Sequence, residues 1–427
     1  MSQGIPQGWY GASATAAPPR EALSGLLRCD VCVVGGGYTG LSAALHLALA
    51  GARVILLEAE TVGFAASGRN GGQIHTGFRK EQSELESWLG RQHARELWEL
   101  GAESKALVRE LVHTHAIDCA LKDGLVIAAH RMSAAHALER EAEHLASQYG
   151  YTQLAMLDAA RTEAELGTRV YPASRFDSGG GHLHALNFAR GLGRAAETAG
   201  AVLFEHSRVL ALDEDKAGVN ARTAGGTISS DQVVLACDAF SGALAPQLAP
   251  YIGQLESFIV ATAPLDEALY ARVLPSDAAV ADTRHVLDYY RKSEDRRMLF
   301  AGRESYWRVP KDVAGMVGPR MAHVFPALTG VAIDYAWHGT VGITRTRMPH
   351  LGRLSKRMLF AHGYSGQGVA LATLCGKLMS EAALGKPERF DVLARVPAAP
   401  FPGGQLLRRP LVAAALAWFK LLDALPG

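Results

Sequence analysis

Hydrophobic and polar positions along this chain follow two periods, and the switches between them mark its elements. Residues 31–34 (VCVV) form an apolar run too short for a helix and stop at Gly35, which predicts a buried parallel strand. Residues 41–50 are rich in Ala and Leu with no breaker before Gly51, the pattern of a helix with a glycine just past its end. Residues 53–57 then predict a second buried strand. Across 81–114, Leu85, Trp88, Leu89, Leu97, Leu100, Leu107 and Leu111 recur mostly at three- and four-residue steps, a helical period. Residues 119–129 alternate and contain Asp123-Gly124, which predicts a hairpin, and 133–149 predict a long helix.

Further on, 177–184 (DSGGGHLH) is dense in breakers and reads as a loop, followed by a helix over 188–198 with Asn187 as its N-cap. Short strands are predicted at 201–205, 209–212, 219–222, 227–229 and 233–236. Alternating strands follow at 258–262, 286–291, 298–302, 334–344 and 358–361, with an apolar helix over 369–383. In Leu287-Asp288-Tyr289-Tyr290-Arg291 the adjacent rings must face opposite sides of a sheet, so one is core and the other can line a pocket.

The turn between the first strand and helix is Gly35-x-Gly37-x-x-Gly40, and Glu58 ends the second strand. Gly35 permits the turn, Gly37 lets backbone approach a pyrophosphate, and Gly40 lets the helix pack close on the strand. A carboxylate at Glu58 accepts hydrogen bonds from ribose hydroxyls. Tyr38, Thr39, Ala59 and Val209 border the same nucleotide path. Eight residues after Glu58 comes Ala66-Ser67-Gly68-Arg69-Asn70-Gly71-Gly72-Gln73, too soon for another strand–helix unit. Such a loop offers N–H groups, Ser67, Arg69 and Asn70 to the far end of an extended dinucleotide, which points to FAD. Gly363-Tyr364-Ser365-Gly366-Gln367-Gly368 enters the last apolar helix, where an N-terminus stabilises negative charge at the flavin N1/C2=O edge. No second GxGxxG unit follows a strand downstream, so electrons are expected from an organic donor rather than NAD(P)H.

The expected fold class is α/β: an FAD-binding Rossmann-like domain with an interleaved antiparallel-sheet substrate domain. The expected division is an N-terminal arm (1–28), an FAD-binding domain (29–80, 150–243 and 335–400), a substrate domain (81–149 and 244–334) and a C-terminal tail helix (401–427). With 43 Lys+Arg against 42 Asp+Glu, nothing in the charge favours nucleic acid. Five scattered cysteines and no signal peptide suit reduced thiols in a cytoplasm. Cys29-x-x-Cys32 straddles the first strand, where alternation sends the two side chains to different faces, a structural pair rather than a redox one. Within the tail 406–425, Pro410 suits the first turn of a helix whose apolar stretch, 411–425, is too short to span a bilayer and suits core or subunit packing, with in-plane membrane contact as the alternative.

The N-terminal βαβ unit, SGRNGGQ, GGH-x-H, LDYYR and GYSGQGV, in that order, resemble the D-amino-acid-oxidase superfamily, and within it most closely the gamma-glutamylputrescine oxidoreductases. The similarity runs from Trp9-Tyr10-x-Ala12-Ser13 to Phe401-Pro402-Gly403-Gly404, with departures at Ala185, His338 and 75–80. It implies noncovalent FAD and oxidation of a CH–NH group in a γ-glutamylated polyamine, with hydride passing to flavin N5. The imine then hydrolyses to an aldehyde and ammonia, and O2 or another acceptor takes the electrons, giving peroxide where it is O2. A related amino- or imino-acid oxidase or dehydrogenase, acting on something like sarcosine or pipecolate, is the alternative. This chemistry needs positioning more than covalent help, so His182, Tyr289, Tyr290, Arg291 and Trp337 are the candidates for amine caging and carboxylate capture. His182 and His184 could face the flavin or satisfy backbone groups.

Overall fold

The apolar runs around the glycine turn and the alternating runs build two separate sheets, as a computed structural model describing residues 8–305 and 309–402 shows. In the first sheet Met358–His362, Gly226–Leu235, Gly25–Val34, Val54–Leu57 and Val202–Phe204 lie parallel in that spatial order. His350–Arg353 adds an antiparallel edge, and the Ala211–Glu214/Val219–Arg222 hairpin pairs with Gly226–Leu235. The central strands are apolar where they are buried, at 31–34, 54–57 and 233–235, because both faces are covered there. Helices Tyr38–Leu49, Ala185–Thr198 and Gly368–Ala383 cover one face through Leu41, Leu45, Phe188, Leu374 and Leu378. Cys29, Cys32, Ile55 and Val233 fill the other. The first and last of those helices touch so closely that a Cβ on Gly376 would collide with the Thr39 carbonyl oxygen.

The second sheet runs Ile333–Ile343, Gly253–Thr262, Met298–Ser305, Tyr289–Lys292, Ala279–Asp282, Lys122–Ala129, Ala173–His182 and Gln73–Ile74. Its pairings are antiparallel except Ala279–Asp282 with Lys122–Ala129, which is parallel. Period-two alternation divides its residues: Phe258, Val260, Tyr290 and Phe300 pack under helix Val313–Val324. Ile259, Ala261, Leu299 and Trp337 face the other way, toward the first sheet and the buried Trp9 and Tyr10.

Several expectations change. The 150–243 and 335–400 segments, assigned to the nucleotide domain, give Leu154–Leu157, Ala173–His182 and Ile333–Ile343 to the second sheet. The glycine-dense 177–184 segment is mostly strand, because neighbours need the space: a Cβ on Gly180 would lie 2.6 Å from the Leu125 Cβ. Asp123-Gly124 is a bulge within a single strand, with Gly124 at φ +100°, rather than a hairpin turn. Residues 25–28 begin the first strand rather than end the arm. The arm itself docks through Trp9–Ser13, with the Trp9 Nε1 donating to both Asp295 carboxylate oxygens at 3.1 Å. Cys29 and Cys32 join the same apolar cluster, because the Asp30 and Val31 N–H groups both donate to the Arg53 carbonyl and break the alternation. Burial pushes the Cys29 thiol up to about 12 and Cys32 well above its usual value, so neither is a thiolate. No helix among the described residues is long and apolar enough to cross a membrane, and the tail helix expected over 406–425 lies outside the described residues.

Candidate active site

A cavity of about 690 Å³ opens between the two sheets, within the usual size of ligand sites. One end is built by the glycine turn. A Cβ on Gly37 would sit 2.9 Å from the Ser67 hydroxyl, and one on Gly36 would sit 3.0 Å from Glu58, so the backbone itself forms the cavity floor. The helix Tyr38–Leu49 starts here with no side-chain cap from its own N-cap residue, Gly37. Glu58 accepts from the Gly36 N–H at 2.6 Å and the Glu60 N–H at 2.9 Å, which leaves lone pairs on both oxygens for a ligand's hydroxyls. Burial raises its pKa against those two hydrogen bonds.

The helix Gly368–Ala383 reaches the same cavity, again with no side-chain cap at Gln367. Thr39 and Tyr364 hydroxyls, 2.6 Å apart, tie the two helix starts together. The Gln367 Oε1 is buried with no partner among the described residues. Asp238 accepts from the Gly363 N–H at 2.7 Å and the Gly342 N–H at 3.2 Å, fixing the second glycine loop where strand Met358–His362 ends. Two helix N-termini that their own N-cap residues leave without a side-chain cap, glycine floors, a carboxylate with spare acceptors and an orphan amide oxygen suit a long dinucleotide.

Of the residues assigned to the cofactor, Gly35, Gly37, Tyr38, Thr39, Glu58, Ala59, Ser67, Arg69, Asn70, Gly71, Gln73, Val209, Tyr364, Ser365, Gly366, Gln367 and Gly368 line the cavity. Gly40, Gly68, Gly72 and Gly363 stand behind its wall, where their missing Cβ atoms make room for Gly35 O, Gly63 O, Leu183 O and the Thr344 methyl. Asn70 and Arg69 spend their polar atoms inside the protein. Asn70 Nδ2 donates to Ala66 O and Ser67 O, its Oδ1 accepts from the Gly72 N–H, and Arg69 Nε donates to Phe64 O at 2.8 Å. They shape the loop.

Of the five substrate candidates, only Tyr289 lines the cavity. Tyr290 is core, stacked on Phe300 at 5.3 Å. Trp337 donates its Nε1 to Arg69 O at 3.0 Å, and Arg291 donates to Gly71 O at 3.0 Å, so both brace the loop from behind. His182 is fully enclosed, contacts Asp277 O, and is pushed down to about 3 by burial and then by Arg291. His184 caps its helix by accepting from the Asn187 N–H at 3.1 Å, and burial pushes it too down to about 3. Neither histidine faces the cavity.

The wall beyond the 66–73 loop holds residues that the sequence patterns did not single out: Ser257, Ala281, His285, Glu304 and Arg347, with Leu287 from the LDYYR run and His75 and Arg79 from the divergent 75–80 segment. Ser257 and Glu304 are cross-strand partners and so share a face, and the Ser257 and Tyr289 hydroxyls are 2.9 Å apart. Sheet register is the signal that unites them.

The chain matches the family described as FAD dependent oxidoreductase over residues 30–382. It is 39% identical over 419 residues to gamma-glutamylputrescine oxidoreductase of Escherichia coli, covering 98% of each chain. It is 38% identical over 416 residues to a probable oxidoreductase OrdL of Rhizobium meliloti, covering 97% of each. The glycine oxidase structure from Geobacillus kaustophilus superposes with a TM-score of 0.72 at 24% identity, over 84% of this chain and 95% of that one. A glycine-turn βαβ unit, two helix N-termini on one cavity and a match over most of its length thus converge: the chain belongs to the family of FAD-dependent oxidoreductases that includes the D-amino-acid oxidases.

Proposed function

We propose that this flavoenzyme oxidises the CH–NH group of a γ-glutamylated polyamine of the γ-glutamylputrescine type. The observation that carries the reading is the near-full-length identity to the Escherichia coli gamma-glutamylputrescine oxidoreductase. The balanced reaction converts R–CH2–NH2, water and O2 to R–CHO, ammonia and hydrogen peroxide. Bound FAD supplies the two-electron acceptor.

The chain's own residues bind, orient and exclude water. Glu58 and the Gly35–Gly37 turn would hold the adenosine and pyrophosphate, and the Gly363–Gly368 loop the electron-accepting end. Burial pushes the Tyr289 phenol up, so it stays protonated, and its hydroxyl beside Ser257 can take one hydrogen bond from an amine held over Gly71. The Tyr289 ring leaves Gly71 no space for a Cβ (2.8 Å), which keeps tyrosine and flavin loop in one register.

Two expected outcomes follow. Glu58→Ala weakens FAD retention by about 1–3 kcal/mol, the size of lost charged hydrogen bonds, read by flavin occupancy after dialysis; unaltered occupancy contradicts the ribose assignment. With γ-glutamylputrescine, oxygen uptake, ammonia and peroxide should appear in equal amounts, with weaker turnover of sarcosine and pipecolate. Turnover confined to a small amino or imino acid replaces this reading with an amino-acid oxidase.

A further inference from the structure

Among the described residues, the side chains of Arg79 and Arg347 in the cavity wall have no counter-charge bonded to them. Arg79 makes no hydrogen bond or ion pair among the described residues, and neither does the side chain of Arg347. Both line the cavity, and Arg79 keeps solvent-accessible surface although protein surrounds it. Burial and then the like charge of Arg347 both work against the charge on Arg79, while Glu304 favours it. Arginine does not lose its proton in a protein, so the pair brings two positive charges to one cavity wall, with the Glu304 carboxylate as the opposite charge acting on Arg79. His75 lies in the same wall, with no ring-nitrogen hydrogen bond among the described residues, and burial followed by Arg79 pushes it down to about 4. It is neutral near pH 7 and leaves the arginines as the local cations. The Arg347 backbone is held at φ +63°, a strained setting for a residue with a Cβ. Glu304 faces the same cavity from the Ser257 strand pair.

We propose that Arg79 and Arg347 form a carboxylate subsite that receives the amino-acid end of the substrate, with Glu304 set to face its α-ammonium. The inference rests on the γ-glutamyl reading above and assigns that substrate's remote end. A planar fork suits a carboxylate in two-point contact, which a lysine would not match. The ligand class is thus an amine carrying an α-amino-acid head at the end opposite the oxidised carbon, rather than a free diamine.

The test compares γ-glutamylputrescine with the same molecule amidated at its α-carboxylate, using the FAD-loaded full-length enzyme and its R79Q and R347Q variants. The wild type should prefer the free carboxylate by about 10- to 100-fold in kcat/KM, the worth of a charge-assisted contact. Each variant should reduce that preference mainly through KM, with R79K restoring only part of it. A preference that persists in both variants overturns the subsite. So does a changed flavin spectrum in R79Q or R347Q, which would put that arginine on the cofactor. If neither compound bleaches the wild-type flavin anaerobically while sarcosine or pipecolate does, the γ-glutamyl reading has failed instead.

Discussion

Substituting Gly40 with alanine is expected to give protein that retains no FAD and melts well below the parent. Gly40 does not touch the cavity; it stands where the first strand, the turn and the first helix converge. A Cβ built there would overlap the Gly35 carbonyl oxygen and lie 3.2 Å from Val33 Cγ1. Neither the carbonyl nor the carbon bonded to it is the end of a flexible side chain, so the helix must move off the strand. That movement displaces the Tyr38 N–H, which donates to Ser67 Oγ at 3.0 Å, and opens the cavity floor. A backbone collision of this kind costs more than about 4 kcal/mol, and lost FAD binding removes further stability by mass action. Flavin-to-protein absorbance ratio and thermal midpoint read both effects. A fully flavinated variant with the parental midpoint would show that the helix does not depend on this approach.

Arg291→Met should release FAD as well, by loosening the flavin loop from behind. The guanidinium is 1% exposed and donates to Gly71 O at 3.0 Å, Lys292 O at 2.9 Å and Tyr10 OH at 3.2 Å. Trp9 and Tyr10 rings flank it at 5.7 and 5.9 Å, so the N-terminal arm, the sheet and the loop meet on one cation. Methionine fills much of the volume but leaves the Gly71 carbonyl unpaired. Charge-assisted hydrogen bonds of about 1.5–3 kcal/mol each set an expected loss of about 3–5 kcal/mol. Deleting residues 1–14 removes Trp9 and Tyr10 and should give the same loss of flavin. A side chain that instead captured substrate would lower turnover with FAD content intact, so the flavin ratio separates the two roles.

The glycine-turn end of the cavity was legible because its geometry is local: Gly35, Gly37, Gly40 and Glu58 fall within one βαβ unit, and sequence spacing alone places them. The opposite wall of the cavity was not, because register assembles it. Ser257, Tyr289 and Glu304 come from three strands, and Arg79 and Arg347 from segments far from them in the chain. Alternation foresaw that Tyr289 and Tyr290 would part, yet only the pairing with Ala301 and Phe300 shows which one is core. Glycine density misled at 177–184, where the glycines accommodate close strands and a buried network instead of a turn. There Lys105 donates to the Tyr151 hydroxyl at 2.6 Å and to the Thr76 hydroxyl at 2.9 Å, and Asp177 accepts from Tyr151 and Thr76. A Cβ on Gly179 would run into that network. His182 drew attention from its glycine-dense segment and Arg291 from the mid-sheet LDYYR run, as candidates for amine caging and carboxylate capture, and both are enclosed structural supports.

Anaerobic mixing of the FAD-loaded enzyme with γ-glutamylputrescine, followed by flavin absorbance, tests the central claim most directly. Complete bleaching by one equivalent is expected, faster than with putrescine, sarcosine or pipecolate at equal concentration. Bleaching by sarcosine or pipecolate with none by γ-glutamylputrescine would contradict it.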